Sequence, residues 1–160
     1  MIAWRICKRA YANRRRVLSG EGAREIGGRW NRPGLALVYA SETSSLALLE
    51  TLVHAGVHAL PRSLVAVAIT IPDDVSITDV GERQLSTSWK ASGDATCAEL
   101  GSAWLEANTA LVLRVPSAVN PLERNILFNP AHHDIRCCKV AAPAVIRYDP
   151  RLVQLFYPAE

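Results

Sequence analysis

The sequence predicts a single α+β domain in which mixed or antiparallel β-sheet is accompanied by a few helices. Three observations carry this. The chain has 160 residues, a length that suits one domain with its own core. Two apolar runs rich in β-branched residues, SLVAVAITIP (Ser63 to Pro72) and ALVLRVPSAV (Ala110 to Val119), read as buried strands. Strand-like and helix-like segments do not alternate strictly, which argues against a doubly wound parallel sheet.

The elements follow in chain order. Ala3 to Lys8 (AWRICK) reads as the first strand. The stretch from Ser19 to Gly34 (SGEGAREIGGRWNRPG) holds too much glycine for a helix interior and too much charge for a core strand, so it reads as a loop. Leu35 to Ser41 (LALVYAS) is a strand. TSSLALLETLVHAG reads as a helix, with Thr43 or Ser44 to cap it and Gly56 to end it. Ser63 to Pro72 is the strongest strand, and its nearly continuous apolar character implies burial on both faces. DDVSITDV supplies a short strand after a turn. Asp94 to Asn108 is a second helix, in which Gly101 is a mild blemish. Pro116 ends the strand begun at Ala110. NILFNP, DIRCCKV and Ala144 to Asp149 read as further strands, and PRLVQLF as a terminal turn of helix. No repeat, linker or low-complexity segment divides residues 1–160.

Composition excludes several function classes. Apolar residues make up 49% and charged residues 21% of the chain, as in ordinary globular domains. No run of eighteen apolar residues exists to cross a bilayer, and the N-terminus lacks the apolar segment of a signal peptide. A cytoplasmic location is the expectation. Cys7, Cys97, Cys137 and Cys138 are irregularly spaced and read as reduced thiols. The net charge of +3 demands no nucleic-acid partner. KRAYANRRR (Lys8 to Arg16) nevertheless gathers five basic residues without an acid. It reads as a solvated face, or as a surface that attracts a phosphate-bearing ligand or an acidic partner.

Chemistry-bearing residues cluster early. Gly22 and Gly27 have the spacing of a phosphate-binding loop, but Gly28 and Arg29 stand where Lys and Ser/Thr are required. What survives is simpler. Glycines let backbone amides approach a ligand, and the Arg29 fork can grip phosphate. Arg29 can equally be paired with a carboxylate of the core. In the first helix, Glu50 lies on a stripe with Leu46, Leu49, Leu52 and Val53, so it points inward. An inward carboxylate is costly unless paired, which makes Glu50 either a structural ion pair or a poised carboxylate. His54 and His58 continue the same row, but HAGVH is not a metalloprotease motif and no metal is expected. His132 and His133 fall in a polar segment and read as exposed. Ser117 stands in RVPSA, outside any nucleophile elbow. Tyr39 can pack or stack on a ring, and Trp30 reads as an anchor for the glycine loop.

Together these blocks resemble the RES domain, the toxin half of bacterial toxin–antitoxin systems with Xre-like antitoxins. The likeness runs through LSGEGAREIGGRWNRPG, LVYASETSSLALLETLVH, IPDD, Trp89, LGSAWL, VPSA, NILFNPAHHD and YDPRL, in the family's order and over nearly the whole chain. The resemblance implies a fold like that of ADP-ribosyltransferase toxins and NAD as substrate, with no permanent cofactor. Family members degrade NAD by hydrolysis or phosphorolysis, or transfer its ADP-ribose to a protein acceptor. Carried over by motif, the catalytic residues are Arg29, Glu50 and Ser117, and Gly28, Tyr39 and Asn129 are further NAD-binding positions. Ala98 stands where the family would have glutamine. The implied partners are NAD, an Xre-like antitoxin covering the active site, a protein acceptor where transfer occurs, and a second copy within the complex. Nucleic acid is met only through the antitoxin, and no membrane is implied.

The chemistry agrees with these assignments. Arg29 would hold phosphate or ribose, or else orient Glu50. Tyr39 would stack on the cationic nicotinamide. Glu50 would stabilise the positive charge that develops on the ribose as nicotinamide leaves. Ser117 would orient the substrate by hydrogen bonding. A reading of another class is a basic nucleotide- or RNA-binding module that uses Lys8 to Arg16 and catalyses nothing.

Overall fold

Strand β1 (Ile2–Lys8) pairs with β3 (Leu64–Thr70) along its full length, from Ile2 opposite Thr70 to Lys8 opposite Leu64. This ladder is the centre of the computed structural model, which describes residues 1–55, 63–91 and 95–156. The other strands are β2 (Val38–Ser41), β4 (Ile77–Asp79), β5 (Val112–Pro116), β6 (Arg124–Phe128), β7 (Lys139–Val140) and β8 (Ala144–Val145). They form one sheet in the order β4-β5-β6-β2-β1-β3-β7, with β8 also on β3. All pairings are antiparallel except β4 beside β5. The helices are α1 (Arg14–Val17), α2 (Glu21–Ile26), α3 (Ser44–Ala55), α4 (Thr96–Ala107) and α5 (Pro150–Phe156). The α+β class expected from the sequence is the observed one. No described helix is long and apolar enough to cross a membrane.

Apolar side chains cover both faces of the sheet. Val38, Val65, Val67, Ile69, Val112, Ile126 and Phe128 form one core, while Leu113, Val115 and Leu127 pack on Trp30, Trp89 and Trp104 in the other. β5 feeds both cores and so reads as a continuous apolar run. β3 gives Val65, Val67 and Ile69 to the first core alone, and the burial on both faces expected of it is only partial, with Ala66 and Ala68 half-buried and Thr70 exposed.

The sheet narrows between β1 and β2, which share a single register pair, Trp4 opposite Ser41. By contrast β2 pairs with β6 over four positions. Next to that single pair, the Arg5 guanidinium donates through Nη1 to the Tyr39 carbonyl at 2.7 Å. A side chain thereby satisfies a backbone acceptor in a stretch where β1 and β2 are not in register.

Several local expectations change. The glycine-rich stretch contains the short helix α2, set between Gly20 (φ 64°) and Gly27 (φ 74°), both in left-handed backbone that other residues rarely adopt. Leu35 to Leu37 precede the strand, which begins at Val38. DIRCCKV is a 3₁₀ turn (His133–Cys137) followed by two strand residues, because the His132 side chain accepts the Asp134 N–H and starts a turn there. Ala144 to Asp149 supplies two strand residues. Thr43 is the cap of α3, its Oγ1 accepting the Leu46 N–H at 3.0 Å. Gly56 and Asp94, expected at helix ends, lie outside the described residues.

Gly101 is no blemish. A Cβ built there would sit 2.0 Å from the Trp30 carbonyl oxygen. The glycine lets α4 pass directly against the loop that carries Arg29, and Ser102 accepts the Arg32 N–H at 3.0 Å beside it. Trp30 is 2% exposed and its N–H donates to Tyr39 Oη at 2.9 Å. Tyr39 Oη in turn donates to Asn31 Oδ1 at 2.8 Å. These contacts fasten the loop to α4 and β2.

Two outcomes are expected. Gly101→Ala should lower stability by about 3 kcal/mol despite alanine's higher helix propensity, because the obstacle is backbone; urea unfolding of both proteins measures it. Burial pushes the Tyr39 phenol well above its ordinary value and the Cys138 thiol up to about 11. The folded state therefore keeps protons that the unfolded chain releases. Stability should be fully present below about pH 9 and fall as pH rises through 10 to 11. Tyr39→Phe should weaken this alkaline loss and lower stability at pH 8 by about 1 to 2 kcal/mol. Unfolding midpoints at pH 8, 10 and 11 test both statements.

Candidate active site

A cleft of about 480 Å³ opens among β1, β2, α2 and α3, with Arg5, Arg29, Tyr39, Glu50, His54 and Asn125 in its wall. The volume is that of a small-molecule site.

Glu50 occupies the second turn of α3, half-buried. Its Oε1 accepts from Ser117 Oγ at 2.9 Å and from Asn125 Nδ2 at 2.6 Å. Among the described residues Oε2 has no hydrogen-bond partner and no cation is paired with the carboxylate. Neutral donors therefore hold the group, and its charge is left uncompensated at the cleft wall. The expected apolar stripe is only partly right. Leu46 is 1% exposed, but Leu49 and Val53 are 40% and 54% exposed. The helix is turned so that Ala47, Glu50, Thr51 and His54 meet the cleft, with Val53 on its rim. His58 lies outside the described residues.

Ser117 stands behind Glu50 and not in the cleft. It is fully buried, and its Oγ accepts the Val119 and Asn120 N–H groups at 3.1 and 3.0 Å while donating to Glu50. The hydroxyl has no capacity left for a substrate, so the substrate-orienting role expected of it is corrected: it orients the carboxylate. The loop is clipped to the start of α3, since Thr43 Oγ1 and Asn120 Nδ2 donate to the two oxygens of Glu123 at 2.6 and 2.7 Å.

Asn129 does not reach the site. It is 2% exposed, and its Nδ2 donates to the Leu105 carbonyl and Asn108 Oδ1 while its Oδ1 accepts the Ala131 N–H. It tethers the end of α4 to the end of β6. The asparagine of the cleft is Asn125, four residues earlier. Both lie in NILFNP, and the two-residue strand period puts both on one face, so periodicity alone could not choose between them. Ser41 Oγ donates to Asn125 Oδ1 at 2.8 Å, which directs the amide nitrogen toward Glu50.

Arg29 lines the cleft but, among the described residues, holds neither Glu50 nor any other carboxylate. Its Nη1 donates to the carbonyls of Trp89 and Ala91, and its Nη2 to that of Lys90. Gly28 is small for a steric reason: a Cβ there would lie 2.5 Å from Tyr39 Oη. Tyr39 is locked by its two hydrogen bonds, with its ring at the cleft. Trp30 is the anchor expected, its indole 6.4 Å from that of Trp89. Ala98 does not line the cleft.

Arg5 was missed. Burial lowers its pKa, and its buried Nε has no hydrogen-bond partner among the described residues. A lone arginine inside a strand pattern was the available signal, since an interior guanidinium requires partners. Away from the cleft, His132, His133 and Asp134 carry ligand atoms within 4.8 Å of one another. His132, expected to be exposed, is 4% exposed and stacks on His133 at 4.4 Å. All four cysteines are free thiols.

Comparison with known proteins agrees with this picture. Residues 2–150 match the RES domain. A "Prs ADP-ribosylating toxin" of Sphingobium sp. (strain YBL2) is 38% identical over 154 residues, covering 94% of this chain and 96% of the relative. A "Toxin Res" of Yersinia enterocolitica is 36% identical over 154 residues, covering 95% and 99%. The crystal structure of the M. tuberculosis MbcT–MbcA toxin–antitoxin complex contains a chain of like fold, with a TM-score of 0.73, 19% identity, and 99% and 89% of the two chains covered. The family match over nearly the whole sequence, and two relatives well above 30% identity, place this chain in the RES domain family.

Proposed function

We propose that this protein is a toxin that cleaves the nicotinamide–ribose bond of NAD and degrades the dinucleotide by hydrolysis or phosphorolysis. One observation carries the reading: a carboxylate held by neutral donors, with one oxygen unpartnered, stands in a cleft that also contains two guanidinium groups. A dinucleotide brings a matching charge pattern, an anionic diphosphate beside a cationic nicotinamide riboside.

In this reading the guanidinium groups take the diphosphate and the Tyr39 ring packs on nicotinamide. The C–N bond breaks with its electron pair going to nicotinamide, which departs neutral and needs no general acid. Positive charge develops on the ribose carbon and ring oxygen. Glu50 stabilises it electrostatically, and more effectively for having no resident cation. Water or phosphate then adds to the ribose carbon, with loss of a proton to solvent. Ser117 and Asn125 keep the carboxylate in register.

A second reading keeps the same bond cleavage and gives the ADP-ribose to a protein side chain. The name of the Sphingobium relative favours it. The structural neighbour comes from a toxin–antitoxin complex, which supports an antitoxin partner here, and in this reading the antitoxin occludes the cleft. The exposed Ile26 and Val53 on the cleft rim suit an apolar cover.

Nicotinamide release from NAD, measured with and without phosphate, should fall by about 10²- to 10³-fold in Glu50→Gln with little change in KM. Ser117→Ala should lower kcat by about tenfold or more, since a hydrogen bond to a charged group is lost. Equal release by wild type and Glu50→Ala would refute the mechanism. Labelled NAD in cell lysate separates the fates: free ADP-ribose or its phosphate means degradation, and a labelled protein band means transfer. The antitoxin should block NAD binding competitively, and a ternary complex with NAD would contradict occlusion.

A further inference from the structure

We infer that the Trp89–Ala91 backbone is a positioning clamp that selects which edge of Arg29 meets the substrate, making Arg29 a bidentate diphosphate fork. The inference rests on the functional reading above and deepens it.

A guanidinium has five N–H donors, arranged so that Nε and one hydrogen of Nη2 form a side-on fork for two oxygens. Three carbonyls surround Arg29, and they take the Nη1 side and one Nη2 hydrogen. What they leave, among the described residues, is the Nε–Nη2 edge. The same molecule shows what that edge does when an anion is present. Arg114 grips Asp79 through Nε at 2.6 Å and Nη2 at 2.7 Å. Arg151 holds Asp149 in the same manner, at 3.0 Å for both contacts. Among the described residues Arg29 has no carboxylate on this edge, and it stands at the cleft.

The clamp is itself held. Trp89 is 4% exposed and its indole packs on Trp30, the neighbour of Arg29. Lys90 Nζ lies 5.3 Å from the Trp89 ring centroid and 3.1 Å from Glu82 Oε1. Hydrogen bonds from Trp89 N to Ser86 O and from Ala91 N to Ser88 O curl the segment so that successive carbonyls converge. Each carbonyl dipole offsets part of the cost of seating a cation without neutralising it, so the charge stays available to an anion. Trp89 is thus a positioning residue that acts through Arg29. Lysine at position 29 would keep the charge and lose the fork.

The test compares ligands with and without a diphosphate. Dissociation constants for ADP-ribose and for adenosine are measured by calorimetry in wild type, Trp89→Phe, Trp89→Ala and Arg29→Lys. ADP-ribose should weaken about tenfold or more in Arg29→Lys and in Trp89→Ala, and less in Trp89→Phe, while adenosine is unchanged. Trp89→Phe in an Arg29→Ala background should have no further effect on ADP-ribose, a readout that remains if Trp89→Ala does not fold. Unaltered ADP-ribose binding in the Trp89 variants, or equal loss of both ligands, overturns the clamp and leaves the cleft assignment standing. Failure of the wild type to bind ADP-ribose overturns the assignment together with the clamp.

Discussion

A single carboxylate oxygen, Glu50 Oε1, receives hydrogen bonds from two different parts of the sheet. Ser117 comes from the turn after β5 and Asn125 from β6, so α3 is tied to both. A half-buried carboxylate is tolerated when hydrogen bonds replace its lost hydration. Here, among the described residues, they do so without a cation. The difference matters, because a resident arginine would stabilise the fold at the expense of the electrostatic work proposed for the site. The supporting shell continues outward. Ser41 orients Asn125, backbone N–H groups orient Ser117, and Glu123 fastens the Ser117 turn to the first turn of α3. The position of one charge is the sum of these contacts.

The other wall of the cleft depends on close approach. Gly101 admits the Trp30 carbonyl against α4, and Gly28 admits the Tyr39 hydroxyl. Both glycines are needed because of what lies beside them, and neither has left-handed backbone. Gly20 and Gly27 serve differently, bending the chain into and out of α2. The result is a loop packed on three sides, from which Arg29 projects with its guanidinium already oriented. The narrow join of β1 and β2, with Arg5 beside it, completes the wall.

Much of this was legible. The strong strands β3 and β5, the helices α3 and α4, the cap at Thr43 and the stop at Pro116 all follow local physical signals. The placing of Arg29, Tyr39 and Glu50 in one site came instead from the family resemblance that the ordered blocks carry. Other features were not. Glu50 was expected inward among leucines, but Leu49 and Val53 are exposed. The rotation of a helix about its axis is set by what it packs against, and α3 packs a polar network.

The residues that touch were decided elsewhere. Ser117 and Asn125 are 67 and 75 positions from Glu50, and nothing local distinguishes Asn125 from Asn129. Arg29 offered a free choice between a phosphate and Glu50, and its observed partners are main-chain carbonyls 60 residues away, which have no side-chain signature. The sequence by itself determined the class of fold, the main elements and the kinds of chemistry available, because those rest on periodicity, capping and residue type. Only the tertiary structure decided which oxygen of Glu50 is held and which edge of Arg29 is open. Those depend on distances between segments that the chain brings together only when the sheet is assembled.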